Sequence, residues 1–265
     1  MRKAFINSLC LLLFGSISTG VIAQTKKTKK TSKPKPVAAA APQTTTQPPA
    51  EVPPKRNERP NNGNVKTSSS VSYSPVYFYE FTRPGFTYER ILIEHDEAGK
   101  GKISFLKSGF DEMLTDPVRL TPVTLADLTS AFTDLNFLAS NENYQTERDH
   151  SNMGNVSITV KKDGRTRTAK YNWTENKQAK FLMDEYRRIA NEYTWKFEMG
   201  IARENQPLQG PGLVDTLDNY IKQNEISDPP HLVPLLNELS TDERIPLIAR
   251  DHAARLVKQI EKAKK

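Results

Sequence analysis

Hydrophobic side chains in the middle of the chain recur at every second position, and beyond residue 175 they recur at every third or fourth. Residues 76–81 (VYFYEF) are dense in aromatic and β-branched side chains and predict a strand closed by Arg83-Pro84-Gly85. Residues 88–95 (YERILIEH) predict a second strand. The glycine-containing turn 96–101 leads into 102–107, where Ile103 and Phe105 alternate with Ser104, so the two runs read as a hairpin. Leu125, Leu128, Phe132 and Leu135 then fall at helical spacing, with Thr121 as N-cap and Pro122 at the first helical position. A second hairpin follows. Val156, Ile158 and Val160 alternate, Asp163-Gly164 supplies the tight turn, and Ala169, Tyr171 and Trp173 alternate on the return.

From Thr174, read as a cap, a long helix is predicted. Ala179, Leu182, Met183, Tyr186, Ile189, Ala190, Tyr193, Phe197 and Ile201 trace one face of it, and it ends before Pro207. Its length exceeds what a small sheet covers, so its far end needs another partner. Three shorter apolar stripes supply one: 213–221, 232–239 after Pro229-Pro230, and 245–260, the last preceded by Ser240 and Glu243 at capping-box spacing. The expected fold is α+β: an antiparallel sheet of four or five strands with two helices on one face, over 73–205, followed by C-terminal helices (206–265) docked on the long helix.

The first 72 residues are of another kind. Arg2 and Lys3, an apolar stretch from Leu9 to Phe14 and the small-residue end Val21-Ile22-Ala23 have the layout of a cleavable signal peptide over 1–23. The apolar stretch is too short to span a bilayer, for which about 20 residues are needed. Cys10, the one cysteine, lies at the start of that stretch rather than after it, which argues against a lipidated N-terminus. Once the leader is removed no thiol remains for disulfides, nucleophilic catalysis or a zinc cage.

Residues 24–72 are rich in Lys, Pro and Thr and contain no aromatic side chain, a composition that cannot offset its ordering entropy; they are expected to form a disordered linker. The formal net charge of +7 resides entirely in the leader and this tail, and residues 73–265 sum to −3. A basic folded body is the usual footprint of nucleic-acid binding, so that function is not expected. The tail is expected to act as a spacer, or as a tether in which Lys26, Lys27, Lys29, Lys30, Lys33 and Lys35 contact an anionic surface, each contributing about 1 kcal/mol.

Two hairpins, each followed by a helix, with Phe137 after the first helix and Tyr144 and Asp149 before the second hairpin, give the region from about 75 to 200 a layout that resembles a group of exported bacterial domains of unknown function. The resemblance implies an α+β sheet with both helices on one face in an envelope setting. It carries no activity and no site.

Candidate chemistry is sparse. Glu94, His95 and Asp96 form the densest group of acid–base side chains, but on a strand Glu94 and Asp96 share one face and His95 the other. The run 148–151 (RDHS) places three triad residue types side by side, where they cannot form the required chain of hydrogen bonds. His231 and His252 are isolated, and no metal or cofactor is expected. Asn155 and Asn172 match a glycosylation pattern but sit at predicted strands. Tyr77, Tyr79 and Phe81 form an aromatic row that either packs in the core or, left exposed, stacks on sugar rings or receives a partner.

The function expected from these features is a non-enzymatic binding or accessory module, periplasmic or extracellular, for an envelope protein or polymer. Two alternatives stand beside it. One is an envelope hydrolase using Glu94 and Asp96 with a histidine; the other is a structural protein that self-associates.

Overall fold

In a computed structural model, residues 73–263 are described. The leader and the whole of the tail, 1–72, lie outside the described residues, as do the readings made of them. The described residues form six strands and five α-helices: β1 (Tyr77–Thr82), β2 (Tyr88–His95), β3 (Lys100–Lys107), β4 (Leu114–Arg119), α1 (Pro122–Asp134), β5 (Asn155–Lys162), β6 (Arg165–Tyr171), α2 (Lys177–Asn205), α3 (Gly210–Lys222), α4 (Val233–Thr241) and α5 (Leu247–Ala263). The strands make one antiparallel sheet in the order β4-β3-β2-β1-β5-β6. The α+β class is as the periodicity predicts, with one strand more than expected.

The additional strand is β4. Its apolar positions are few and Pro117 lies inside it, which a sequence reading takes as a breaker. Proline is tolerated at a sheet edge because the missing N–H faces outward, and β4 is an edge strand. At the other hairpin Asp163 and Gly164 both take positive φ (52° and 71°), the backbone of a two-residue turn matched to strand twist. Gly101 is required for a different reason: a β-carbon there would collide with the carbonyl oxygen of Glu94 on the neighbouring strand.

Helix α1 starts as expected, with the Thr121 hydroxyl accepting from the Thr124 amide and Pro122 at the first position. Helix α2 does not. Its cap is Asn176, whose side-chain oxygen accepts from the amides of Gln178 and Ala179, both at 3.1 Å. Thr174 is buried two residues earlier and accepts from the Asn176 amide. The capping box before α5 is also absent, because Ser240 is still inside α4 and bonds back to the Asn237 carbonyl. Trp173 lies just past β6 and is partly exposed, as is Ile201.

Both α1 and α2 cover the same face of the sheet. Tyr77, Tyr79, Ile93, Ile103, Phe105, Val156 and Ile158 from the strands pack there against Leu128, Phe132, Leu182, Tyr186 and Ile189 from the helices. A second cluster joins the far end of α2, through Trp195 and Met199, to Val214, Leu217, Leu236, Leu256 and Ile260 of the C-terminal helices. Between the two lies a polar seam. Buried Glu185 pairs with Arg188 and accepts from Ser227, whose hydroxyl also bonds Thr124 at 2.6 Å. Buried Glu192 binds Lys196 at 2.5 Å and His231 at 2.7 Å. Burial alone would push the Glu192 carboxyl up, but the His231 hydrogen bond and the Lys196 charge outweigh it and hold the group below its ordinary value. No helix among the described residues is long and apolar enough to cross a membrane.

Candidate functional site

The aromatic row of β1 belongs to the core. Tyr79 stacks on Tyr186 with ring centroids 4.9 Å apart, and Tyr77 stacks on His95 at the same separation while touching Phe132. Phe81 is partly buried at the end of the row and lies against Gly154. Burial pushes the Tyr77 and Tyr79 hydroxyls up, so both stay neutral. The row is therefore packing surface and not an exposed recognition face.

Glu94, His95 and Asp96 diverge. Glu94 points to the opposite side of the sheet, accepting from the Tyr73 hydroxyl at 2.6 Å and pairing with Lys102 at 3.2 Å. Asp96 turns into the β2–β3 loop, where its carboxylate accepts from the amides of Ala98 and Lys100. His95 enters the core at 1% exposure. Its Nδ1 lies 2.8 Å from the Asp96 carbonyl, which can only accept, so Nδ1 carries the proton. Nε2 is then the acceptor for the Tyr186 hydroxyl at 2.9 Å. A histidine with both nitrogens occupied and no access to solvent has no proton to exchange with a substrate.

His95 still affects stability through pH. Burial lowers its pKa, so the folded ring resists protonation while the unfolded ring takes up a proton below about 6.5. Stability rises with pH wherever the unfolded state binds more protons. The contribution is thus fully present above pH 6.5 and declines below it, by at most about 1.4 kcal/mol per pH unit until the native ring itself titrates. Urea unfolding between pH 7.5 and 5.5 should show this fall in the wild type and a flatter profile in His95→Gln; parallel profiles would remove His95 as its source.

The remaining histidines are also structural. His150 lies against Trp173 with its ring tilted by 44°, and neighbouring Asp149 accepts from the Ser151 amide, so RDHS forms no relay. The two ring nitrogens of His252 contact Asp215 and Asp218 from opposite edges, joining α3 to α5 rather than chelating. Among the described residues no group of three or more His, Cys, Asp or Glu converges as a metal site.

The site that sequence reasoning missed is on the face of the sheet that no helix among the described residues covers. There the side chains alternate away from the core: Phe78, Glu80 and Thr82 from β1; Leu92 and Glu94 from β2; Asn155, Ser157, Thr159 and Lys161 from β5; Thr166, Thr168 and Lys170 from β6. Two depressions, of about 540 and 380 Å³, occupy this face, and Glu80 and Ser157 line both. They adjoin at the cross-strand pair Glu80 and Ser157, and the trough they make up is shallow and open to solvent. Its wall at one end is the segment 145–149, and Asn172 holds that wall in place. The Asn172 side-chain oxygen accepts from the Gln145 side chain and the His150 amide, and its NH2 donates to Asp149 at 2.7 Å and Asn155 at 3.1 Å. Those bonds to Asn172 and the Ser151 amide hold the Asp149 carboxyl below its ordinary value.

Within the trough Glu80 pairs with Arg90 at 2.8 Å, the hydroxyls of Thr159 and Thr168 bond each other at 2.8 Å, and Lys161 lies over the Phe78 ring. Glu147 and Lys170 line it without an ion-pair partner among the described residues. The signal was available in the sequence as the hydroxyl-rich set between the apolar positions of the second hairpin. Such positions ordinarily mark a solvated face, and the wall built by Asn172 is a tertiary feature with no local signature. No family model matches the chain, and no curated protein matches it either.

Proposed function

We propose that this protein is an exported, non-enzymatic binding module of the bacterial envelope whose binding surface is the trough on the uncovered sheet face. The observation that carries this reading is the polar lining of that trough. The two helices seal one face of the sheet, and the other face keeps a walled depression with Glu147 and Lys170 outside any ion pair among the described residues. The divergence of Glu94, His95 and Asp96 favours binding over hydrolysis, because acid–base work needs its groups within hydrogen-bond reach of one reacting atom. Export rests on residues 1–23, and the basic stretch from Lys26 to Lys35 adds a salt-sensitive contact with anionic surfaces.

Cosedimentation of the secreted full chain with washed envelope pellets tests the reading. The recovered protein should begin at Gln24 and pellet with the envelope. The variant Ser157→Trp, which fills the centre of the trough from a half-buried strand position facing it, should stay in the supernatant. Deleting 24–36 should weaken pelleting mainly at low salt. An uncut leader, or equal pelleting of wild type and Ser157→Trp, would overturn it.

A further inference from the structure

We infer that the trough takes an extended, neutral, β-linked polysaccharide strand; this rests on the binding-module reading above. Of the residues lining the larger depression, the two apolar ones, Val156 and Tyr171, are core side chains beneath its floor, and the others are carboxylates, amides, hydroxyls and one ammonium. The apolar area it exposes comes mostly from the carbon atoms of polar residues and not from hydrophobic side chains, which are the lining that acyl chains and other apolar ligands need. Glu80, Glu147 and Asp149 face Lys170 in the same depression, so a phosphate-bearing chain meets more negative than positive charge there. Across the whole face Arg90, Lys102, Lys161 and Lys170 match the carboxylates of Glu80, Glu94, Glu147 and Asp149 in number, so a strongly cationic chain finds no net attraction there. The electrostatics fit a neutral ligand.

The hydrogen-bonding groups select further. An extended peptide is usually bound by adding a strand at a sheet edge, where backbone groups are free. The floor of this trough is built on β1 and β5, each paired on both sides, so their backbone groups are already used in the ladders; β6 borders the trough as an edge strand, but its free backbone groups lie in the plane of the sheet and not on this face. What remains is side-chain chemistry alone: carboxylates that only accept, an ammonium that only donates, and amides and hydroxyls that do both. A polyhydroxylated ligand matches that set, because each of its hydroxyls also donates and accepts. Leu92, half-buried in the smaller depression beside the Phe78 ring that Lys161 covers, adds a small apolar spot on which the C–H face of a sugar ring can rest.

Shape gives the chain length. Each depression has the volume of a small-molecule site, and the two are joined through Glu80 and Ser157. A ligand filling both is a linked series of units rather than a single sugar. The floor is an open sheet face with a wall at one end only, which suits a flat ribbon of β-linked units better than a coiled chain.

Isothermal titration of the full chain with cellohexaose, chitohexaose, polygalacturonate and hexalysine tests the inference. At least one of the two neutral hexasaccharides should bind saturably and more tightly than its disaccharide. Ser157→Trp should weaken that binding at least tenfold with an unchanged thermal unfolding midpoint, and the double variant Glu147→Ala/Lys170→Ala should weaken it without disturbing the fold. Binding of polygalacturonate or hexalysine alone, lost in Ser157→Trp, would overturn the ligand class and leave the binding-module reading intact. Failure of both neutral hexasaccharides, or binding indifferent to Ser157→Trp, would overturn the inference, and envelope cosedimentation then decides the broader reading separately.

Discussion

Replacing Tyr186 by alanine should cost about 4 kcal/mol of stability. The ring is fully buried and lies stacked on Tyr79, at the centre of the contact between α2 and the sheet. Truncation leaves a cavity of aromatic size in a packed interior that can collapse only partially. It also removes the hydroxyl that donates to His95 Nε2, leaving a buried acceptor without a partner. The two parts separate experimentally. Tyr186→Phe keeps the stack and loses only the donor, so it should cost about 1–2 kcal/mol. Urea unfolding followed by circular dichroism measures both; a Tyr186→Ala variant within 1 kcal/mol of wild type would mean that α2 does not depend on this contact.

Trp195→Ala should cost about 3–5 kcal/mol as well, but the damage should be confined to one end of the molecule. Trp195 is 3% exposed, packs in the second cluster with Met199, Val214 and Leu217, and donates its indole N–H to the Leu213 carbonyl at 2.8 Å. The first cluster uses other residues of α2 and is separated from it by the polar seam of Glu185, Glu192, Ser227 and His231. Local opening follows such boundaries, since cooperative units coincide with contiguous packing. Amide hydrogen exchange should show α3, α4 and α5 losing protection in Trp195→Ala while β1, β2 and β5 keep theirs. Uniform loss across the sheet and the helices would show that the two clusters unfold as one unit.

Much of the architecture was legible before any coordinates. The hairpin at Asp163-Gly164 and the start of α1 at Thr121-Pro122 each carry their own local chemistry, and local chemistry survives in a tertiary setting. Where competing local signals sat side by side, sequence reasoning chose the wrong one. Thr174 and Asn176 are both good N-caps, and only the burial of Thr174 beneath the start of α2 decides for Asn176. Ser240 and Glu243 have the spacing of a capping box, but Leu236 and Leu239 keep α4 helical through Ser240, and the next helix waits until after Pro246. β4 was hidden by Pro117 because an edge position is a property of the assembled sheet, not of the segment.

The candidate site was less legible, and for a related reason. Period-two alternation says that Tyr77, Tyr79 and Phe81 share a face, but it does not say which face the helices will cover. Both α1 and α2 settle on the aromatic side, which turns the most conspicuous residues of the sequence into core and leaves Ser157, Thr159, Thr168 and Lys170 as the presented surface. His95 likewise reads as chemistry in the sequence and becomes a hydrogen-bonded strut against Tyr186 in the fold. The residues that build the trough wall, Gln145, Asp149 and Asn172, are up to 27 positions apart and acquire meaning only when β6 brings Asn172 beside the 145–149 segment.

The central claim is that the hydroxyl-rich face of the sheet is the working surface. Backbone amide NMR of the full chain, titrated with a neutral hexasaccharide, tests it most directly. The shifts should concentrate at Ser157, Thr159, Thr168, Lys170 and Asn172 and leave Leu208, Leu247 and Ile248, the exposed apolar residues near the C-terminal helices, unmoved. Shifts centred on those three residues, with the trough silent, would contradict it.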